Sequence, residues 1–138
     1  MSEVFPDIFG FLSSDPTVGP MVTNTSVSPA VIEIYPEVLD TAARLPALTY
    51  KTISLTEEHI LEGPSDGLER MRVQIEAWAM TSDDADELCL AVRNLFNGYI
   101  GMMGQAQVNV TLHENLLNDY EADRKQYIRI MDFILLYN

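Results

Sequence analysis

Between residues 70 and 80 apolar and polar side chains alternate. Met71, Val73, Ile75, Ala77 and Ala79 fall on one side, and Arg70, Arg72, Gln74 and Glu76 on the other. A period of two predicts a half-buried strand. Trp78 and Met80 break the polar side, where such a strand should stay polar. That end therefore needs cover, from an N-terminal helix or from another subunit. The pattern then changes period. Thr81 or Ser82 offers an N-cap, and Asp83, Asp84, Asp86 and Glu87 suit the positive end of a helix dipole. Ala85, Leu88, Cys89, Val92, Leu95 and Phe96 recur at helical spacing, and Asn97-Gly98 closes the helix.

The rest of the chain reads in the same terms. Val4, Phe5, Ile8, Phe9 and Leu12 predict a helix over residues 3–13, with Pro6 in its first turn, where a missing N–H costs little. Residues 14–29 carry Asp15-Pro16 and Gly19-Pro20 and read as a long loop. A short strand over 30–35 stops at Pro36, and 37–45 suggests one or two helical turns before Pro46. Thr49, Tyr50, Thr52 and Ile53 mark a strand over 48–56. Residues 57–67 read as a solvated connection between antiparallel strands. A further strand is expected over 105–113, with Ala106, Val108, Val110 and Leu112 inward, and a turn or an extended hairpin tip over 114–123.

The final segment, 126–137, is apolar on both sides: Ile128, Ile130, Ile134 and Leu136 on one, Tyr127, Met131, Phe133, Leu135 and Tyr137 on the other. This is the signature of a central strand covered twice. The segments do not alternate as strand and helix throughout. They predict an α+β fold in one domain, 1–138: a mainly antiparallel sheet of four to five strands with two principal helices. Two helices can hardly cover both faces of such a sheet, and the surplus apolar surface argues for an oligomer. Trp78, Met80, Tyr127, Met131, Phe133 and Tyr137 are the candidate subunit interface.

Charge changes the picture most. Eight Lys and Arg face 21 Asp and Glu, for a net charge of -13. Such a field repels phosphate backbones and disfavours tight nucleic-acid binding, while suiting a surface past which DNA slides without sticking. The single cysteine, Cys89, excludes an internal disulfide and reads as a small buried hydrophobe. No charged-then-apolar leader opens the sequence and no apolar run approaches a membrane span, so a soluble, cytoplasmically made protein is expected.

Candidate chemistry is sparse. His59 and His113 lack the spaced partners of a helical metal site and read as structural. The acidic residues 83–87 are explained by a helix N-terminus, and Asp119, Glu121 and Asp123 by a charged tip; neither has calcium-loop spacing. Gly98, Gly101 and Gly104 follow a helix instead of preceding one, which argues against a phosphate loop and for a cap and flexible connection. No nucleophile elbow is present. The sequence offers no catalytic residues, cofactor site or metal site. The long segments 14–29 and 57–67 read as docking loops.

The order of these segments resembles one family. It runs from an N-terminal helix through Leu12-Ser-Ser-Asp15-Pro16, a strand ending Ile34-Tyr35-Pro36, and Leu45-Pro46 leading into Thr49-Tyr50. The strand carrying Val73-Gln-Ile-Glu-Ala-Trp78 follows, then a helix opening Ser82-Asp-Asp-Ala85, then closing strands ending on Tyr137. This is similar to the tail terminator (tail completion, tail-to-head joining) proteins of long-tailed bacteriophages and phage-like particles. The resemblance implies a hexameric ring at the head-proximal end of the tail, assembled in the host cytoplasm. That ring would cap the tail tube protein, stop polymerisation, and dock a head-tail connector or stopper while DNA passes through. Competing expectations are another neck component, such as a stopper or adaptor, and a small hydrolase or ligand-binding domain using His113 or the acidic clusters.

Overall fold

A computed structural model describes residues 5–58 and 68–137. The chain begins with α1 (Ile8–Ser13), a single turn α2 (Val18–Met21), and the two-residue strands β1 (Thr23–Asn24) and β2 (Val31–Ile32), which pair with each other. The short β3 (Ile34–Pro36) follows, then the long β4 (Ala47–Glu58) and β5 (Leu68–Ala79), α3 (Ser82–Phe96), β6 (Ile100–Met103), β7 (Ala106–Glu121) and β8 (Gln126–Tyr137). Among the described residues the main sheet has six strands in the order β3-β4-β5-β8-β7-β6, all antiparallel neighbours except β3 and β4. The fold is α+β and mostly antiparallel, as the lack of regular strand–helix alternation predicts.

Several elements differ from the sequence expectation, each for a local reason. The first helix starts at Ile8, because the Asp7 carboxylate accepts a hydrogen bond from the Gly10 N–H (2.9 Å) and caps it. Pro6 therefore precedes the cap, and residues 3 and 4 lie outside the described residues. Residues 14–29 are not a plain loop. Asp15 accepts from the N–H groups of Thr17 (3.0 Å) and Val18 (2.8 Å), starting a turn that buries Val18 and Val22. Residues 37–45 form no helix. Glu37 adopts φ 68° and donates its N–H to the Tyr50 carbonyl (2.8 Å), which ties the backbone to β4. Residues 100–103 are a strand and not a free connection, while 114–121 continue β7 as the extended end of its hairpin with β8. The sheet thus exceeds four to five strands. The connection 59–67, with His59, lies outside the described residues.

Met71, Val73, Ile75, Ala77 and Ala79 of β5 are all buried on one face, as their alternation requires. Against that face lies α3, capped by Thr81, whose hydroxyl accepts from the Asp84 N–H (3.1 Å), and ended by Gly98 at φ 72°. Its buried Leu88, Val92 and Phe96 meet β5 and β8, where Phe96 stacks on Phe133 (4.7 Å, 21°). Phe11 approaches Phe96 edge-on (5.1 Å, 84°) and brings α1 into the same core.

The sheet is curled. α1 touches both edge strands, β3 and β6, which a flat six-stranded sheet would hold roughly 24 Å apart. The Asp7 N–H donates to the Met103 carbonyl (3.3 Å), so the N-terminal segment closes the seam between the two edges. Gly104 sits at that closure with φ 63°, and a Cβ there would meet the Cβ of Asp7 at 2.8 Å. Only glycine fits on both counts.

Candidate interaction surfaces

Each side chain of the expected interface can now be placed. Met131, Phe133 and Tyr137 are buried on the α3 side of β8, within the core of the chain itself. Their apolar character is explained without a second subunit. Trp78 lies on the opposite face, half-buried, and its indole N–H donates to the Thr49 hydroxyl (3.2 Å) on the neighbouring strand. Met80, just past β5, is 68% exposed. Tyr127 is half-buried against Tyr120, which is itself exposed (ring centroids 4.7 Å). The six residues therefore do not form one patch. Three belong to the core and three lie near the end of the sheet where β5 finishes and β8 begins.

The face of the sheet turned away from α3 carries polar groups that the sequence pattern did not single out. Asp132 is 5% exposed and accepts from Arg72 (2.7 Å) and Gln74 (3.2 Å). Ile134, opposite Arg72, is buried beside this cluster, and Ile128 is buried on the same face opposite Trp78. On the other side Arg129 is buried, donating to Asp86 (2.7 Å), the Ser82 hydroxyl (2.9 Å) and the Ile128 carbonyl (3.2 Å). It pins the start of α3 to β8. Glu33 is 4% exposed and accepts from the Tyr35 hydroxyl (2.6 Å) and the Arg44 N–H (2.9 Å), holding the chain around residue 44 beside β3. The signal for these polar pins was present only as isolated charges within apolar segments. Apart from Tyr35 and the Ile128 carbonyl, their partners are 11 to 60 residues distant in sequence.

Ionisation follows from these surroundings. Burial, with the Glu33 carboxylate beside it, pushes the Tyr35 phenol up to about 12. Burial also raises Glu76 and outweighs Lys51, which pulls it down, with Asp119 adding to the rise. The Cys89 thiol is raised by burial as well, which makes it a poor nucleophile at neutral pH. Among the described residues no group of three or more His, Cys, Asp or Glu converges as a metal site would require. No helix there is long and apolar enough to cross a membrane.

Two concavities are open to solvent. One, of about 280 Å³, lies between residues 21–26 and Glu33, Arg44 and Pro46. The other, of about 460 Å³, is an apolar groove between the N-terminal segment and the β4–β5 hairpin. It is lined by Phe5, Phe9, Leu55, Met71 and Val73, with Asp7, Glu37 and Lys51 among its polar residues. Exposed apolar side chains gather nearby: Phe5 is 50%, Ile53 46% and Leu55 42% exposed.

The same fold occurs in a virion. A chain of the solved virion of a native gene transfer agent (GTA) particle matches with a TM-score of 0.67 at 10% sequence identity. The match covers 95% of this chain and 91% of that one. At that identity the likeness is one of fold. No protein-family model matches the sequence, and no characterised protein matches it either. The virion chain and this one share the fold over most of both their lengths.

Proposed function

We propose that this chain is a structural protein of a phage-like virion. Within it, the chain acts as the tail terminator, a hexameric ring that caps the head-proximal end of the tail tube and offers the docking surface for the head connector or stopper. The observation that carries this reading is the near full-length likeness of fold to a virion chain. The order of segments that resembles tail terminators supports it independently. So do the exposed apolar side chains around the N-terminal segment and β4, which suit protein contacts. The net charge of -13 suits a ring through which DNA passes without binding.

The decisive experiment is mass measurement in solution followed by electron microscopy with isolated tail tubes. The expected result is a species of six 15.5 kDa chains that seats on one end of the tube and halts its growth. A strict monomer that leaves tubes uncapped overturns the reading. Binding to the connector without capping of tubes reassigns the chain to a stopper or adaptor.

A further inference from the structure

Both long strands next to the sheet edges are covered along only a short stretch of their outward side. β3 pairs with β4 at residues 48–50 alone, and β6 pairs with β7 at residues 106–109 alone. Among the described residues, the outward edges of 51–58 on β4 and 110–121 on β7 have no strand beside them. An unpaired edge is a template for another strand, and proteins usually blunt it with charge or proline. Residues 52–56 of β4, Thr-Ile-Ser-Leu-Thr, carry neither, and all five are exposed. An open edge of this kind in a monomer invites a specific partner.

We infer that the free edge of β4 in one copy pairs antiparallel with the free edge of β7 in the next, joining neighbouring subunits through one continuous sheet. This deepens the ring reading above and rests on it. Three features of the chain fit the pairing. The first is polarity. β4, β5, β8 and β7 alternate in direction, so β7 followed by a neighbour's β4 continues the alternation. The second is that the coverings do not collide. β3 and β6 sit at opposite ends of the sheet, since each covers the start of a strand and the two strands run oppositely. Sliding the neighbour along the strand brings the two open stretches side by side.

The third feature is charge. Ala47, Trp78, Ile128 and Asp119 lie on one line across the sheet, and Lys51 shares their face four residues along β4 from Ala47. Setting Lys51 of one copy opposite Asp119 of the next, with Glu121 close by on the same face, joins opposite charges in a molecule that is otherwise acidic. The slide is then four residues, about 13 Å, for each unit of four strands, about 19 Å wide. That stagger corresponds to strands tilted by about 35°, within the range that closed barrels use. It also covers the exposed Ile53 and Leu55.

Cross-linking tests the pairing in the full chain. Cys89 is 5% exposed and stays silent. Lys51→Cys and Asp119→Cys proteins are mixed and oxidised, since directly opposed Cβ atoms come within disulfide reach. The expected product is a cross-linked dimer of the two variants, absent from either alone, and a ladder of multimers from the double variant. Charge reversal at Lys51 or Asp119 should weaken association by about fivefold or less per contact, with recovery in the double swap. Amide exchange at residues 52–56 in the unmodified chain reads the same contact and should slow on association. Oligomers that form without cross-link or protection overturn the pairing alone. A chain that stays monomeric overturns the pairing and the ring together. Cross-linked oligomers that ignore tail tubes leave the pairing standing and overturn the terminator assignment.

Discussion

Glu76 occupies the face of β5 turned away from α3, where a carboxylate is half-buried among Lys51, Asp119 and the apolar side chains of β8. Burial raises its pKa, so the folded chain holds the proton more tightly than the unfolded chain does. At neutral pH the ionised group opposes folding, and that opposition fades as pH falls through the raised folded value. Glu76→Gln should therefore stabilise the chain at pH 7 by less than about 1 kcal/mol, since Lys51 and solvent already offset part of the penalty. The gain should vanish below pH 4, where the native carboxyl is itself neutral. Urea unfolding of the two proteins at both values checks this. An equal gain at both would assign it to packing and not to charge. Tyr35 behaves differently at the other extreme. Its phenol is raised from 10.0 to about 12, so whatever it contributes is intact below pH 10 and is lost between 10 and 12.

At the scale of elements, two glycines with positive φ separate helix capping from seam closure. Gly98 ends α3 with open space around its Cβ position, whereas Gly104 turns β6 into β7 directly under Asp7. Gly98→Ala should cost about 1 kcal/mol, the ordinary penalty for a left-handed residue. Gly104→Ala meets the same penalty and must also displace the N-terminal segment. It should cost at least about 2 kcal/mol and raise amide exchange in α1. Equal costs would mean that the seam yields freely. The contrast also shows what the sequence could convey. β5 and α3 were legible because one face of each is buried throughout, so period and burial coincide. β6 was not, since Ile100 and Met102 are exposed and Gly98, Gly101 and Gly104 in and around it read as a connection. The length of β7 was hidden by its polar outer half, which pairs through backbone groups that carry no sequence signal. Two apolar faces on 126–137 mark a central strand, but nothing in the pattern says that Met131, Phe133 and Tyr137 are buried within the chain's own core.

For the whole molecule, charge and sheet edges pull in opposite directions. Each copy carries -13, so neighbours in a ring repel one another over distances comparable to the Debye length, about 10 Å at 0.1 M salt and 3 Å at 1 M. The contacts proposed to hold them are backbone hydrogen bonds between strand edges and cover for exposed apolar side chains, which depend weakly on salt. A single Lys51–Asp119 pair per interface contributes too little to reverse that balance. Raising sodium chloride from 50 to 500 mM should therefore tighten self-association, measured by sedimentation at a fixed series of protein concentrations. The Lys51→Glu variant, which adds to the repulsion, should gain more from salt than the unmodified chain. Dissociation on adding salt would mean that local ion pairs, and not strand edges and apolar cover, hold the copies together. It would remove the physical basis for joining them through β4 and β7.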